Sequence, residues 1–259
     1  MSESIEVRRE GVIATVSMSR PDRRNALDLE AWRRLGEVFR EIGQSEEVRC
    51  VVLRGAGEDA FCAGADILEF EAVRSDRAQA WSYGAVVEDA LVAVDTCRHP
   101  TLAMIRGACL GGGLEIAAAC DLRVSDASAL FGAPVNRLGI TMAYGELRGL
   151  LGLIGQAHTL ELLLEGRSVG VKRARQMGLV NHVFRTGKLE RRTYDLAARI
   201  AAGAPLANRW HKRFVRRLAE PSALTVAERA ESYAFADTED YRTGCQAFRT
   251  RSRPEFQGR

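Results

Sequence analysis

The stretch GACLGGGLE at residues 107–115 is a run of small residues that leads from a predicted strand at 101–105 into a predicted helix at 114–119. Small side chains leave backbone N–H groups exposed, and at a helix start these donors are unpaired and lie at the positive end of the helix dipole. The stretch is therefore a candidate site for a negatively charged oxygen. The alternative is that its glycines only permit tight packing.

A second strand-to-helix corner, FCAGADI at 61–67, has the same character. Two such corners facing each other would stabilise an oxyanion that develops during a reaction. A third glycine motif, GAGEDA at 55–60, satisfies the G-x-G-x-x-G/A pattern of dinucleotide-binding loops. No helix is predicted to start inside it, so we interpret it as an ordinary turn.

Glu115 lies in the first turn of a helix otherwise made of Leu, Ile and Ala. A carboxylate buried in such a helix must be paired or take part in chemistry. Beside an oxyanion corner, it is the group that proton transfer next to a carbonyl requires. The alternative is an exposed acid that stabilises the helix N-terminus.

Outward from these corners, strands and helices alternate up to about residue 188, which predicts the α/β class. Beyond it only helices are predicted, at 194–202, 206–219 and 225–238, so we divide the chain into 1–188 and 189–259. The remaining predictions are a hairpin at 6–7 and 12–18, strands at 49–54 and 122–124, and helices at 28–42 (with Asp28 as N-cap), 147–165 and 171–177.

Composition excludes several classes of protein. The chain has 259 residues with 46% hydrophobic and 27% charged residues, which excludes disordered and fibrous proteins. A net charge of +3 excludes a protein whose affinity comes from many nucleic-acid phosphates. With neither a signal peptide nor a membrane-spanning run in the sequence, we expect a soluble, cytoplasmic protein without a membrane partner.

The six cysteines form no CxxC pair, and the four histidines fit neither a metal site nor a nucleophilic triad. We therefore expect reduced thiols and no bound metal.

Taken together, these motifs closely resemble the enoyl-CoA hydratase/isomerase (crotonase) superfamily, and the resemblance covers essentially the whole chain. It is carried by RPDRRNAL at 20–27, FCAGADI at 61–67, GACLGGGLE at 107–115, ACDLR at 119–123, FGAP at 131–134, LG at 138–139, ELLLEGR at 161–167, GLVN at 178–181, DTEDY at 237–241 and the tail at 248–256.

The resemblance implies a crotonase-like ββα spiral core at 1–188 and a helical C-terminal trimerisation region at 189–259. It also implies a homotrimer or a dimer of trimers, and coenzyme A thioesters as substrates with no permanently bound cofactor. The N–H groups of Ala65 and Gly112 would hold the thioester oxygen, with Glu115 as a catalytic residue. Residues expected to bind the coenzyme A portion are Arg24, Ala63, Ala65, Asp66, Ile67, Leu68 and Gly112.

The chain departs from the hydratases of this family at Val135 and in the loop at 140–147, where those hydratases usually carry a glycine-rich run. They carry a second catalytic glutamate directly after Phe-Gly-x-Pro, where this sequence has Val135. Tyr144 and Glu146 are the candidates to replace that glutamate. The alternative is that neither does, with Tyr144 serving in packing and Glu146 as an acid at the start of the following helix. The resemblance leaves three functions open: hydration of a 2-enoyl thioester, isomerisation or decarboxylation with a single glutamate, and non-catalytic binding of acyl-CoA.

Overall fold

The computed structural model describes residues 4–259, which form two β-sheets and the helices that pack against them. The larger sheet has six strands, in the order β1-β2-β3-β5-β7-β10 with strands numbered along the chain. β1 and β2 form an antiparallel hairpin, and every later pair is parallel. The strands are β1 (Ile5–Glu10), β2 (Ile13–Met18), β3 (Cys50–Gly55), β5 (Thr101–Ile105), β7 (Leu122–Asp126) and β10 (His182–Phe184).

A smaller sheet consists of strands of two or three residues, in the order β4-β6-β8-β9. β4, β6 and β8 each follow a strand of the larger sheet and precede a helical segment, so the chain repeats a strand-strand-helix unit three times. Strands this short carry no usable alternation, and the sequence analysis missed them. They are β4 (Ala60–Cys62), β6 (Ala108–Leu110), β8 (Leu130–Gly132) and β9 (Val169–Gly170).

Ten α-helices complete the described chain. Asp28 caps α1 as predicted, accepting a hydrogen bond from Ala31 N at 2.9 Å, and Gly166 ends α5 in the left-handed conformation. The helix α3 (Arg77–Thr96) was not predicted from the sequence. The helices are α1 (Leu29–Gln44), α2 (Phe70–Val73), α3 (Arg77–Thr96), α4 (Gly112–Ala119), α5 (Tyr144–Glu165), α6 (Val171–Met177), α7 (Leu189–Ala201), α8 (Pro205–Leu218), α9 (Val226–Glu231) and α10 (Glu239–Thr250).

Two hydrophobic cores hold the layers together. The main core joins both sheets to α1, α3, α4 and α5, and its largest fully buried side chains include Trp32, Phe39, Phe61 and Phe131. A second core covers the opposite face of the larger sheet with Leu189, Leu196 and Ala197 of α7.

Because α7 packs on that sheet, the predicted boundary at 188/189 falls before a helix that belongs to the core. The more exposed helical region starts at α8, in which only Pro205 is buried. No helix within residues 4–259 is both long enough and apolar enough to cross a membrane.

Candidate active site

The two glycine corners lie side by side. A Cβ added to Gly112 would lie 3.6 Å from Ala65 N, and one added to Gly64 would lie 3.3 Å from Gly112 N. Leu27 fixes the first corner, because its N–H donates to Gly64 O at 2.9 Å and its carbonyl accepts from Asp66 N at 2.8 Å. Within residues 4–259, neither Ala65 N nor Gly112 N donates a hydrogen bond, so two free donors stand at one place.

Glycine is required in these corners for steric reasons. Gly64 has φ +104° and Gly111 has φ +49°, conformations that other residues rarely adopt. A Cβ on Gly113 would overlap the carbonyl oxygen of Cys62, so the helix start could not approach β4 with any larger residue. The glycines therefore serve tight packing and donor exposure together, which the sequence analysis treated as alternatives.

A cavity of about 130 Å³ opens at the two donors. It is lined mostly by apolar side chains from α1, α3 and the loops between strands and helices. Among the residues predicted as site residues, Ala63, Ala65, Ile67, Gly112 and Glu115 line it.

Glu115 is 6% exposed, and its carboxylate makes no hydrogen bond within residues 4–259. Burial raises its pKa well above the ordinary value, and the nearby Glu146 raises it further, while Arg74 opposes both effects. The group is therefore a carboxyl that retains its proton to unusually high pH inside the cavity.

Glu146 supplies a second carboxyl to the same cavity. It is the third residue of α5, and its Oε2 accepts a hydrogen bond from Ala143 N at 2.8 Å. Burial raises the pKa of Glu146, whereas the Ala143 N–H and the charge of Arg74 act in the opposite direction. The cavity thus contains two carboxyls with raised pKa values on different helices.

The structure separates the two residues considered as replacements for the missing glutamate. Val135 lines the cavity, so the position of that glutamate is part of the site. Tyr144 does not line it, and 95% of the residue is exposed to solvent. Of the pair, Glu146 is the one that reaches the cavity.

Three residues predicted to bind coenzyme A do not line this cavity. Asp66 instead pairs with Arg20 at 2.9 Å and caps the short 3₁₀ helix Ile67–Glu69. Leu68 is 73% exposed outside it. Arg24 has an exposed side chain, and its carbonyl accepts from Ala63 N at 3.0 Å, so its visible role is to hold the first corner.

Three other cavity residues, Trp32, Arg74 and Tyr83, were missed by the sequence analysis. Tyr83 belongs to the unpredicted helix α3, where Tyr83, Val87, Ala90, Leu91 and Val94 are buried at helical spacing. That spacing, following the N-cap residue Asp76, was the signal that could have identified the helix. Among residues 4–259, no group of three His, Cys, Asp or Glu side chains is arranged to hold a metal ion.

Comparisons with known proteins agree with this architecture. The family model for enoyl-CoA hydratase/isomerase matches residues 8–259. The short-chain-enoyl-CoA hydratase of Clostridium acetobutylicum is 32% identical over 248 residues, which cover 95% of this chain and 94% of that protein.

Solved structures agree as well. An enoyl-CoA hydratase/carnithine racemase from Magnetospirillum magneticum superposes with a TM-score of 0.98 at 46% identity, covering 100% of this chain and 97% of that one. An enoyl-CoA hydratase from Bacillus anthracis superposes with a TM-score of 0.91 at 30% identity, covering 99% of this chain and 100% of that one.

The two sheets, the repeated strand-strand-helix unit and the C-terminal helices define an α/β protein with the crotonase fold, as the sequence predicted. The chain belongs to the enoyl-CoA hydratase/isomerase (crotonase) family over essentially its full length. Members of this family act on coenzyme A thioesters without a bound cofactor.

Proposed function

We propose that the protein is an enoyl-CoA hydratase that adds water across the double bond of a 2-enoyl thioester. The observation that carries this proposal is the meeting, in one cavity, of two free N–H donors and two carboxyls with raised pKa values. The donors match the thioester oxygen, on which negative charge develops when the enolate forms. The carboxyls match the two proton transfers that hydration needs.

In the proposed reaction, the thioester oxygen accepts hydrogen bonds from Ala65 N and Gly112 N. An ionised carboxylate removes a proton from water as the water oxygen bonds to Cβ, and the electrons of the double bond move to form the enolate. A protonated carboxyl then gives its proton to Cα. The product is a 3-hydroxyacyl thioester, and the two carboxyls have exchanged protonation states.

The two carboxyls differ in a way that supports this division. Glu115 is more deeply buried and has no hydrogen-bond donor among the described residues, which favours its neutral form. Glu146 accepts the Ala143 N–H, which favours its charged form. We assign Glu146 as the base that activates water and Glu115 as the acid that protonates Cα.

The experiment measures turnover of crotonyl-CoA, with products identified by mass spectrometry, for Glu115→Gln and Glu146→Gln. Each variant keeps the side-chain size and removes one proton-transfer group, so we expect kcat/KM to fall by at least about 10²-fold with little change in affinity for coenzyme A. Tyr144→Phe is the matched control, and its activity should stay within about twofold of wild type because the ring lies in solvent.

A second candidate, isomerisation or decarboxylation with one glutamate, is favoured by Val135 at the position of the usual second glutamate. Full activity of Glu146→Gln, together with shifted or decarboxylated products from 3-enoyl or malonyl-type thioesters, would select that candidate. Full activity of Glu115→Gln would exclude both hydration and the single-glutamate reactions, because each of them uses Glu115. Tight binding of acyl-CoA with no product from any thioester would leave the non-catalytic binding subunit.

A further inference from the structure

The cavity contains buried hydrogen-bond donors that the proposed reaction does not use. Trp32 is 1% exposed and Tyr83 is 2% exposed, and both side chains line the cavity. Within residues 4–259, Trp32 Nε1 and Tyr83 Oη have no partner in good hydrogen-bond geometry. The two groups lie close together: burial raises the pKa of the Tyr83 hydroxyl, the Glu69 carboxylate raises it further, and the indole N–H of Trp32 lowers it. Because the hydroxyl oxygen can accept from Trp32, the Tyr83 O–H is the buried donor that needs an acceptor from outside the described chain.

Arg74 adds a positive charge beside them. Its guanidinium carbon lies 5.1 Å from the centroid of the Phe70 ring and 5.4 Å from that of the Tyr83 ring. These aromatic faces hold the guanidinium in the cavity lining without using its N–H groups. Arg74 forms no salt bridge and no side-chain hydrogen bond with the described residues, although the chain contains many ion pairs formed by other arginines.

We call Trp32, Arg74 and Tyr83 the donor cluster. Its members come from α1, from the segment between α2 and α3, and from α3, whereas the two carboxyls come from α4 and α5. A pure hydrocarbon acyl group entering the cavity would displace water and leave the Tyr83 O–H and the Arg74 guanidinium without acceptors. An acyl group whose far end carries oxygen would satisfy them, and a carboxylate offers about four lone-pair positions and pairs bidentately with arginine.

We propose that the donor cluster binds a carboxylate at the far end of the acyl group, so that the enzyme prefers short dicarboxylic thioesters to hydrocarbon thioesters of equal length. This inference rests on the proposed function only for its choice of ligand, a coenzyme A thioester. Glu115 and Glu146 interact with Arg74 through its charge but make no hydrogen bond or ion pair with a member of the cluster, so the guanidinium N–H groups are left for the substrate carboxylate.

The test measures binding rather than turnover, using saturated thioesters that cannot be hydrated. Calorimetry compares glutaryl-CoA with pentanoyl-CoA, which have acyl chains of five carbons and differ at the far end. We expect wild type to bind glutaryl-CoA at least about tenfold more tightly, the scale of one charge-assisted hydrogen bond. A thioester ending in a trimethylammonium group should bind more weakly than pentanoyl-CoA.

Variants distinguish the effect of the donor cluster on ligand preference from an effect on folding. Arg74→Met should bring the ratio of the two affinities close to one, and Arg74→Lys should keep part of the preference because it keeps the charge. Tyr83→Phe should reduce the preference a few-fold, since it removes one hydroxyl and keeps the ring. Free coenzyme A should bind equally to all of these proteins, which checks that the variants are folded.

Equal affinities of wild type for glutaryl-CoA and pentanoyl-CoA would overturn the inference, and so would an unchanged ratio in Arg74→Met. An unchanged ratio in Arg74→Met would mean that Arg74 only offsets the negative charge of Glu115 and Glu146. Failure of the proposed function gives a different result: no hydrated product from crotonyl-CoA or glutaconyl-CoA, whichever thioester binds more tightly.

Discussion

Glu115 is the residue at which stability and chemistry oppose each other. It is buried among small apolar side chains, and the structure gives its carboxyl no hydrogen-bond donor among residues 4–259. A carboxylate in such a place weakens the fold whenever it is ionised, because charge is poorly solvated there. In the proposed reaction, the same poor solvation keeps a proton available for transfer to carbon.

The first prediction follows from this pKa shift. Because the pKa of Glu115 is higher in the folded than in the unfolded chain, its contribution to stability is fully present below the unfolded value of about 4.3 and is lost as pH rises through the folded value. Glu115→Gln cannot ionise, so the variant does not lose this stability as pH rises. We expect the variant to be more stable than wild type at pH 8, by about 1.4 kcal/mol for each unit of pKa difference, and similar to wild type near pH 4.

Urea denaturation at both pH values and at one fixed protein concentration measures this difference. Glu255→Gln, at an exposed tail position, is the control and should show no pH-dependent gain. A Glu115→Gln protein that is less stable than wild type at pH 8 would mean that the carboxylate is stabilised by a contact absent from the monomer.

Tyr144 and Glu146 show what a sequence leaves open at the residue scale. They are the first and third residues of α5, about 200° apart around a helix with 3.6 residues per turn, so only one can face the cavity. The sequence predicted this helix at 147–165, which put both residues just before its start, and it could not fix the rotation of α5 against α4. That rotation depends on side chains from several elements, including α3, which was not predicted.

Each glycine corner positions its N–H donor by the packing of its backbone and not through a side chain of its own. Gly112 packs against Trp32 of α1, because a Cβ added to Gly112 would lie 2.7 Å from Trp32 Cζ2. Trp32 is fully buried, so it can move only by disturbing the core and the donor cluster.

The second prediction concerns Gly112→Ala. The N–H remains, but the added methyl group must displace either Trp32 or the helix start, and a displaced oxyanion donor loses much of its effect. We expect kcat to fall by about 10- to 10²-fold, with destabilisation of about 1–3 kcal/mol from overpacking. Crotonyl-CoA kinetics and urea denaturation measure the two effects.

Gly152→Ala is the matched control, because that glycine lies in α5 with no atom within 4 Å of its Cβ position. It should retain full activity and gain up to about 1 kcal/mol from helix propensity. Unchanged kcat in a folded Gly112→Ala protein would remove the second corner from the proposed oxyanion site.

At the scale of the whole molecule, the C-terminal helices expose an unusual amount of apolar surface. Phe248 is 87% exposed, Val226 84%, Tyr233 71% and Val215 71%. A groove of about 1070 Å³ lies between α8 and α10 and is lined by Trp210, Phe214 and Phe256 among others. Surfaces of this kind in a monomer mark interaction sites. We propose that they are the contacts between copies in the homotrimer or dimer of trimers that the resemblance implies.

The last prediction tests this assembly. Truncation after Thr243 removes half of α10 and also the tail, where Arg49 Nη2 donates to Phe256 O at 2.8 Å and Gln257 N donates to Asp240 Oδ1 at 2.7 Å. We expect smaller or aggregated species. Phe248→Asp changes the exposed face without touching those bonds, and it should give a folded protein of lower mass.

Light scattering gives the mass, and circular dichroism confirms that the helices are retained. If Phe248→Asp keeps the mass of the parent assembly while the truncated protein aggregates, the tail is needed for folding and Phe248 lies outside the interface.

The fold class, the family, the two glycine corners and the position of Glu115 beside them were predictable from the sequence. These features depend on local spacing: a backbone that passes within contact of another backbone needs glycine at fixed positions, as Gly113 against Cys62 shows. Three features came from the folded chain alone: Glu146 rather than Tyr144 lines the cavity, α7 packs on the larger sheet, and Trp32, Arg74 and Tyr83 meet. These outcomes depend on how helices far apart in the chain rotate and pack against one another, which no local pattern specifies.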